Sequence, residues 1–144
     1  MPAMTARTLT VLCTLVCALL AGAPAASATS GTGTQNPDLT VDVSLASSAL
    51  DPDRATVGDQ VTVIERVTNN TAAVQMPRVV ETTQAPGGSP SSTTSRVRIA
   101  PHKTYRVTYS YRIFAGVPAG LSTLTVSATN GNGTSSATAN VAIV

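Results

Sequence analysis

Residues 57–71 constrain the fold of this chain more than any other stretch. A Gly-Asp turn at Gly58 leads into a run dominated by β-branched residues, and an Asn-Asn-Thr turn ends it. Runs of this kind, bounded by turn residues, are typical of β-strands. We therefore predict a strand over residues 60–69, in the middle of an antiparallel sheet.

The other segments are predicted to be partners of this strand. Apolar and polar residues alternate at five further places, with a weaker run at 74–83; the five are residues 39–45, 95–99, 104–113, 123–129 and 137–143. Turn residues separate these runs, and the Asn-Gly-Asn-Gly sequence at 130–133 is a strong hairpin signal. The pattern predicts an all-β fold over residues 38–144, an Ig-like antiparallel β-sandwich of about seven strands.

The N-terminal residues have the features of a cleaved secretory signal peptide. Arg7 precedes an uncharged apolar run at 9–21, and Ala-Ser-Ala at 26–28 offers a small-residue cleavage site. The run is shorter than the roughly 20 apolar residues of a transmembrane helix. We expect residues 1–28 to be removed, residues 29–37 to form a flexible tail, and the product to be secreted or cell-wall associated, with no membrane span.

Removal of this leader changes the cysteine count and the charge. Cys13 and Cys17 both lie within it, so we expect no disulfide and no thiol-based metal site in the mature chain. Eight basic residues (nine less Arg7) then face seven acidic ones, a balance of +1. A nearly neutral chain gives no general case for a nucleic-acid partner. Seven of these eight are arginine, and Ala, Thr, Val and Ser dominate the chain, a bias typical of high-GC bacterial genomes.

Two parts of the chain resemble a known family. Residues 57–62 (VGDQVT) and 67–70 (VTNN) are similar to the opening of bacterial surface Ig-like repeat domains. Residues 98–109 (RIAPHKTYRVTY) and 120–126 (GLSTLTV) are similar to their second half. The named group that the chain resembles is the cell-adhesion-related Ig-like domain found in bacteria. The resemblance covers residues 38–144 and implies a β-sandwich used as a repeat or as a module beside enzymatic or adhesive domains.

Glu65 departs from the pattern of this family. Val61, Val63 and Val67 share one parity in the predicted strand, and Glu65 falls among them. A carboxyl group directed into the core would pair with an arginine or stay protonated, whereas a β-bulge would turn Glu65 outward and Ile64 inward. We expect a bulge or a structural ion pair, since no acid or base nearby in the sequence supports a catalytic carboxylate.

Four basic residues form the predicted ligand-binding site. If residues 95–99 and 104–113 pair as a hairpin, Arg98 lies opposite Arg106, Arg96 shares their outer face, and Lys103 lies in the turn. Like charges directly opposite each other destabilise a sheet. An anionic envelope polymer or an acidic protein partner would relieve the repulsion. The structural alternative is a solvated face with counter-acids on an adjacent strand.

Other residues of chemical interest are better explained by turns. His102 is the only histidine, and we expect an exposed turn residue rather than a zinc ligand. Asp51, Asp53 and Asp59 lack the contiguous ligands of a calcium loop, so we expect turn chemistry. Asn69 begins an Asn-x-Thr glycosylation pattern and is interpreted as a turn residue.

The aromatic residues cluster in one predicted strand. Tyr105, Tyr109 and Tyr111 share parity with Val107, so we expect them to line the core face together. Tyrosines buried in this way are usually core anchors whose hydroxyl groups find partners. The alternative is a stacking platform for sugars or bases.

These observations favour a secreted, non-catalytic Ig-like binding or structural module at the bacterial cell envelope, without metal or cofactor. The first alternative is a small secreted inhibitor of a hydrolase that presents the Pro/Gly/Ser loop at 84–94. The second is a carbohydrate-processing enzyme, which would need paired carboxylates that the sequence does not reveal. The strand that carries Pro77 is expected to place it at a sheet edge or at a bulge. At an exposed edge, strand addition would allow dimerisation.

Overall fold

The computed structural model describes residues 36–144, so the predicted signal peptide and most of the predicted tail lie outside the described part. Within these residues the fold is all-β, and no helix is long and apolar enough to cross a membrane. The described part of the chain contains eight strands: β1 (Leu39–Ser47), β2 (Arg54–Ala55), β3 (Gln60–Asn69), β4 (Arg78–Gln84), β5 (Ser91–Arg96), β6 (Thr104–Arg112), β7 (Gly120–Asn130) and β8 (Gly133–Ile143).

The strands form two sheets that pack as a sandwich. One sheet has three strands in the order β1-β3-β6, and the other has five in the order β2-β8-β7-β4-β5. All neighbours are antiparallel except β2 and β8, which are parallel. The predicted β-sandwich is therefore confirmed, as is the central position of the strand at 60–69. The two-residue strand β2 was not predicted.

The core follows from the alternation of side chains along the strands. Every second residue of β1 and β3 is buried, because successive side chains of a strand point to opposite faces. The two inner faces meet in one cluster of buried apolar residues, and its largest fully buried members are Leu45, Val43, Val61, Val63, Val67, Val126 and Val141. Stability therefore rests on aliphatic packing between the sheets.

The Asn-Gly-Asn-Gly sequence forms the predicted hairpin between β7 and β8. Asn130 lies opposite Gly133 at its end, and Gly133 has φ 134°. Asn36 packs against this turn with only 3% of its surface exposed. Its Nδ2 donates to Asn130 Oδ1 at 2.7 Å and to the Gly133 carbonyl at 3.0 Å. Residue 36 therefore belongs to the fold, although the sequence placed it in a flexible tail.

The predicted hairpin between residues 95–99 and 104–113 is wrong. Strand β5 pairs with β4 and β6 pairs with β3, so the turn at 101–103 connects the two sheets. After β5 the chain stays beside the segment that precedes β4, because Val97 donates its N–H to Pro77 and Ile99 forms a bridge with Gln75. His102, with φ 54°, then turns the chain toward the other sheet.

Two smaller predictions about this region also need correction. Pro77 is fully buried just before β4, and β4 lies between β7 and β5 rather than at an edge. The loop predicted over residues 84–94 is confined to residues 85–90, since β5 begins at Ser91. Pro77 is tolerated because it lies just before β4, so its missing N–H takes no hydrogen bond away from the ladders of that strand.

Candidate functional site

The structure separates the four basic residues of the predicted site. Arg96 ends β5 in the five-stranded sheet, whereas Arg106 lies on β6 in the three-stranded sheet, opposite Arg66. Arg98 and Lys103 lie in the connection between these strands. All four predicted residues are exposed. The predicted register of Arg98 against Arg106 is therefore wrong, because the two segments belong to different sheets.

Arg96 has a different arginine as its neighbour. In the register of β4 and β5 it lies opposite Arg78, and Arg78 lies opposite Thr129 of β7. These positions alternate with the inward-facing residues Val79 and Ala128, so they form one row on the outer face of the sheet. Sequence reasoning missed Arg78 because it assigned β5 the wrong partner.

A polar cavity of about 440 Å³ adjoins this row, and we call it the arginine cleft. Its lining residues are Gln75, Met76, Arg78, Arg96, Thr129, Asn130 and Gly131. The amide of Asn130 is held in place, since its Nδ2 donates to Asp38 Oδ2 at 3.0 Å and to Gln75 Oε1 at 3.2 Å. The cleft thus combines two guanidinium groups with a fixed polar wall.

Glu65 lies inside the sandwich, whereas the arginine cleft lies on the outer face of the five-stranded sheet. The register of β3 with β1 and β6 continues through it without a bulge, and only 5% of its surface is exposed. The expected bulge or ion pair with an arginine is therefore wrong. The residue that meets Glu65 is another acid, Glu81 of β4.

Glu65, Glu81 and Tyr109 form a group that we call the acid cluster. The hydroxyl of Tyr109 donates to Glu81 Oε1 at 2.5 Å. Burial raises the pKa of Glu65 to about 7, and the negative charge of Glu81 and its hydrogen bond with Glu65 add to this effect. Burial and the contact with Glu81 raise the pKa of Tyr109 as well. A protonated Glu65 can therefore donate to an ionised Glu81 near neutral pH.

One oxygen of the cluster has no partner. Among residues 36–144, Glu65 Oε1 is the buried side-chain oxygen or nitrogen that lacks a hydrogen bond. Buried polar atoms are nearly always satisfied, and an unsatisfied one costs about 1–3 kcal/mol. The cluster therefore has an unused acceptor in a low-dielectric interior.

Glu81 was missed in the sequence, although a signal was present. It shares parity with Val79 and Thr83 in β4, which indicates an inward direction. The sequence could not show that β4 and β3 face each other across the sandwich. The structure thus supplies the paired carboxyl groups that were not found in the sequence.

A second cavity, of about 220 Å³, lies between the sheets beside the acid cluster. We call it the inter-sheet cavity, and it is lined by Leu45, Val63, Thr83, Tyr109, Tyr111, Ser122, Thr123 and Leu124. Tyr109 belongs to both the cavity lining and the acid cluster. Tyr111 contacts Ser122, and burial raises the pKa of Tyr111. Tyrosines of β6 thus line the inner face, as predicted.

The sandwich is open on this side. Ser91, Thr93 and Ser95 of β5 share the inward face of β4, since they lie opposite Thr83, Glu81 and Val79. All three are nevertheless exposed. The three-stranded sheet therefore does not cover β5, and the space beside β6 is accessible from solvent.

The remaining candidate residues have structural roles. His102 is an exposed turn residue, as predicted. Asp59 Oδ2 accepts hydrogen bonds from the N–H of Thr56 at 2.7 Å and from its hydroxyl at 2.8 Å, and these bonds lower the pKa of Asp59. Asp51 Oδ1 accepts from the N–H of Asp53 at 3.1 Å. The turn roles predicted for these aspartates are confirmed. The described residues contain no group of three or more His, Cys, Asp or Glu that could hold a metal ion.

Comparison with known proteins identifies the fold. No protein-family model matches the sequence, and no curated protein matches it. Among solved structures, the chain is similar to an alkylpurine DNA glycosylase of Pseudomonas fluorescens bound to DNA that contains an abasic-site analogue, with 11% identity and a TM-score of 0.54. The match covers 76% of this chain, which spans only 31% of the glycosylase chain.

Two further similar structures are of single domains. The CARDB domain of a Pyrococcus furiosus protein, solved in complex with di-metal ions, has 15% identity and a TM-score of 0.50, with 80% of this chain and 95% of that chain covered. The C-terminal domain of Wzt has 12% identity and a TM-score of 0.48, with 85% of this chain and 80% of that chain covered. The likeness to a CARDB domain supports the Ig-like β-sandwich that the sequence resemblance implied.

Proposed function

We propose that this protein is a secreted, non-catalytic module that binds an anionic polymer of the bacterial cell envelope through the arginine cleft. The observation that carries the proposal is the direct opposition of Arg78 and Arg96 beside a polar cavity. Two cations at opposite positions of neighbouring strands repel each other. An anionic group between them removes this repulsion and accepts bidentate hydrogen bonds from both guanidinium groups.

The surroundings of the cleft favour binding over chemistry. Its lining contains two arginines, two amides and a threonine hydroxyl, with no carboxylate, histidine or cysteine to act as an acid, a base or an activated nucleophile. Arg98 follows two residues after Arg96 and is exposed, so a polymer with repeated anionic groups would meet a further cation. Export is supported by the signal-peptide features of residues 1–28.

The test is a binding measurement with purified envelope polymer and with polyphosphate as a defined polyanion, across a salt series. The variant that combines Arg78→Ala and Arg96→Ala should lose about tenfold or more in affinity, because each guanidinium contributes charge-assisted hydrogen bonds of about 1.5–3 kcal/mol. It should also weaken the salt dependence of binding, since fewer cations are paired.

A matched control exists on the other sheet. Arg66 and Arg106 also lie directly opposite each other, but on the outer face of the three-stranded sheet. The combined Arg66→Ala and Arg106→Ala variant has the same change in net charge and should keep most of the affinity. Equal losses in the two double variants would show a general charge effect and contradict the cleft as the site. Absence of polyanion binding by the unmodified protein would contradict the function itself.

A further inference from the structure

We propose that the inter-sheet cavity binds a small organic cation, namely a primary amine with an apolar body, whose ammonium group lies at the Tyr109 end of the cavity beside the acid cluster. This site is separate from the arginine cleft. It lies on the inner face of the sandwich and requires a ligand of opposite charge.

Among residues 36–144, no cation contributes to the pKa shifts of the acid cluster. Glu81 acts on Glu65, and Glu81, Glu65 and Tyr111 act on Tyr109. All of these groups are acids. Glu65 Oε1 is buried without a hydrogen-bond donor. An ammonium group carries a positive charge and three donors and has no acceptor, so it complements this combination of charge and unused acceptor.

The cavity fits the rest of such a ligand. Its volume of about 220 Å³ exceeds the roughly 150 Å³ of an apolar protein cavity that binds benzene, so a single-ring or short-chain molecule fits. Leu45, Val63 and Leu124 provide an aliphatic wall for an apolar body, while Tyr109 and Tyr111 provide aromatic rings. A cation near the face of a tyrosine ring is attracted by the ring quadrupole.

The same features select against other ligands. A carboxylate in this position would face the negative charge of Glu81, and a neutral alcohol would gain neither the charge interaction nor the cation–π contact. Entry is possible because the sandwich is open beside β6, where the inward residues of β5 are exposed. The expected order of affinity for molecules of one shape is therefore amine, then alcohol, then carboxylate.

The experiment compares benzylamine, benzyl alcohol and benzoate, which share one ring, by calorimetry with the full 144-residue chain. At pH 8 we expect benzylamine to bind about tenfold or more tightly than benzyl alcohol, in line with ~1–2 kcal/mol for a desolvated cation–π and charge contact. At pH 5, protonation of Glu65 should narrow this difference, since benzylamine is charged at both pH values. Equal binding of the amine and the alcohol at pH 8, or no binding of the amine, would overturn the proposal.

Variants assign the effect to the acid cluster. Glu81→Gln preserves the size of the side chain and removes its charge, so it should clearly reduce the preference for the amine while binding of the alcohol stays unchanged. Asp42→Asn removes an acid from the exposed outer face of β1 and should leave the preference intact. An unchanged preference in the Glu81→Gln variant would contradict the proposal.

Location and folding are checked by amide chemical shifts. Benzylamine should shift the resonances of Ser122 and Thr123, which line the cavity, and shifts confined to other regions would exclude this site. Glu65→Gln serves as a second charge-removing variant if Glu81→Gln does not fold. The combined Arg78→Ala and Arg96→Ala variant should bind benzylamine normally, so failure of the polyanion site and failure of the amine site are distinguishable.

Discussion

Glu65 of β3 and Glu81 of β4 place two carboxyl groups in hydrogen-bond contact across the interior of the sandwich. They come from different sheets, so the contact spans the layer that aliphatic side chains occupy elsewhere. Two ionised carboxylates in contact repel each other, so a proton on Glu65 stabilises the contact between the two side chains. The pair therefore links the protonation of one side chain to the packing of the two sheets.

We expect the protein to be more stable at pH 5 than at pH 8. The pKa of Glu65 rises from 4.5 to about 7 on folding, so the folded state binds the proton more tightly than the unfolded state. The stabilisation is complete below about pH 4.5 and is lost as the pH rises through about 7. At about 1.4 kcal/mol per pH unit, the loss approaches about 3 kcal/mol.

Denaturant unfolding at a series of pH values measures this change. The Glu65→Gln variant cannot ionise at this position and can still donate to Glu81, so its free energy of unfolding should vary much less between pH 5 and pH 8. Asp42→Asn, on the outer face, should reproduce the pH dependence of the unmodified protein. A Glu65→Gln profile parallel to that of the unmodified protein would show that another group controls the transition.

Asn69→Ala should be strongly destabilising. The side chain is completely buried, and its Nδ2 donates to the carbonyl groups of Ala73 at 2.7 Å, Ile99 at 3.2 Å and Ala100 at 3.1 Å. Its Oδ1 also accepts from the N–H of Thr71 at 2.9 Å. Loss of these bonds leaves several buried groups unsatisfied, and we expect a cost of about 3 kcal/mol or more in the free energy of unfolding.

The control for this prediction is Asn140→Ala. Asn140 is an exposed residue of β8, so its replacement should change the free energy of unfolding by no more than about 0.5 kcal/mol. Similar values for the two variants in chemical unfolding would contradict the role assigned to Asn69. The same burial makes Asn69 inaccessible as a glycosylation acceptor in the folded protein.

Gly120→Ala should lower the thermal midpoint. Gly120 has φ 145°, and an added Cβ would lie 3.0 Å from Cβ of Pro86, which is buried in the loop between β4 and β5. We expect a loss of about 1–3 kcal/mol from backbone strain and this close contact. Gly131→Ala is the matched control, because a Cβ there meets no atom within 4 Å. Equal thermal midpoints for the two variants would disprove the constraint at Gly120.

The sequence predicts the strands well because their signals are local. The strand at 60–69 is predicted with its observed ends, and the hairpin at 130–133 follows from turn residues that favour positive φ. Alternation of side chains identifies which residues of β1 and β3 face inward. These features depend on neighbours along the chain, and tertiary contacts do not override them here.

The candidate sites could not be predicted because they depend on which strands meet. The turn at 101–103 shows that the chain reverses, but the same turn residues serve a hairpin and a connection between sheets. That ambiguity placed Arg96 beside Arg106 and concealed its true neighbour, Arg78. In the same way, the alternation of residues in β3 indicated that Glu65 could face inward. Its contact with Glu81 could not be predicted, because it depends on how β3 packs over β4.

Strand β4 carries opposite charges on its two faces, with Arg78 directed to solvent and Glu81 to the interior. A single polypeptide layer thus insulates a positively charged surface from a negatively charged interior. Water screens the charge of the exposed Arg78 strongly, whereas the partly buried Glu81 is screened less. The two sites proposed above, which are of opposite polarity, can therefore share one seven-residue strand without neutralising each other.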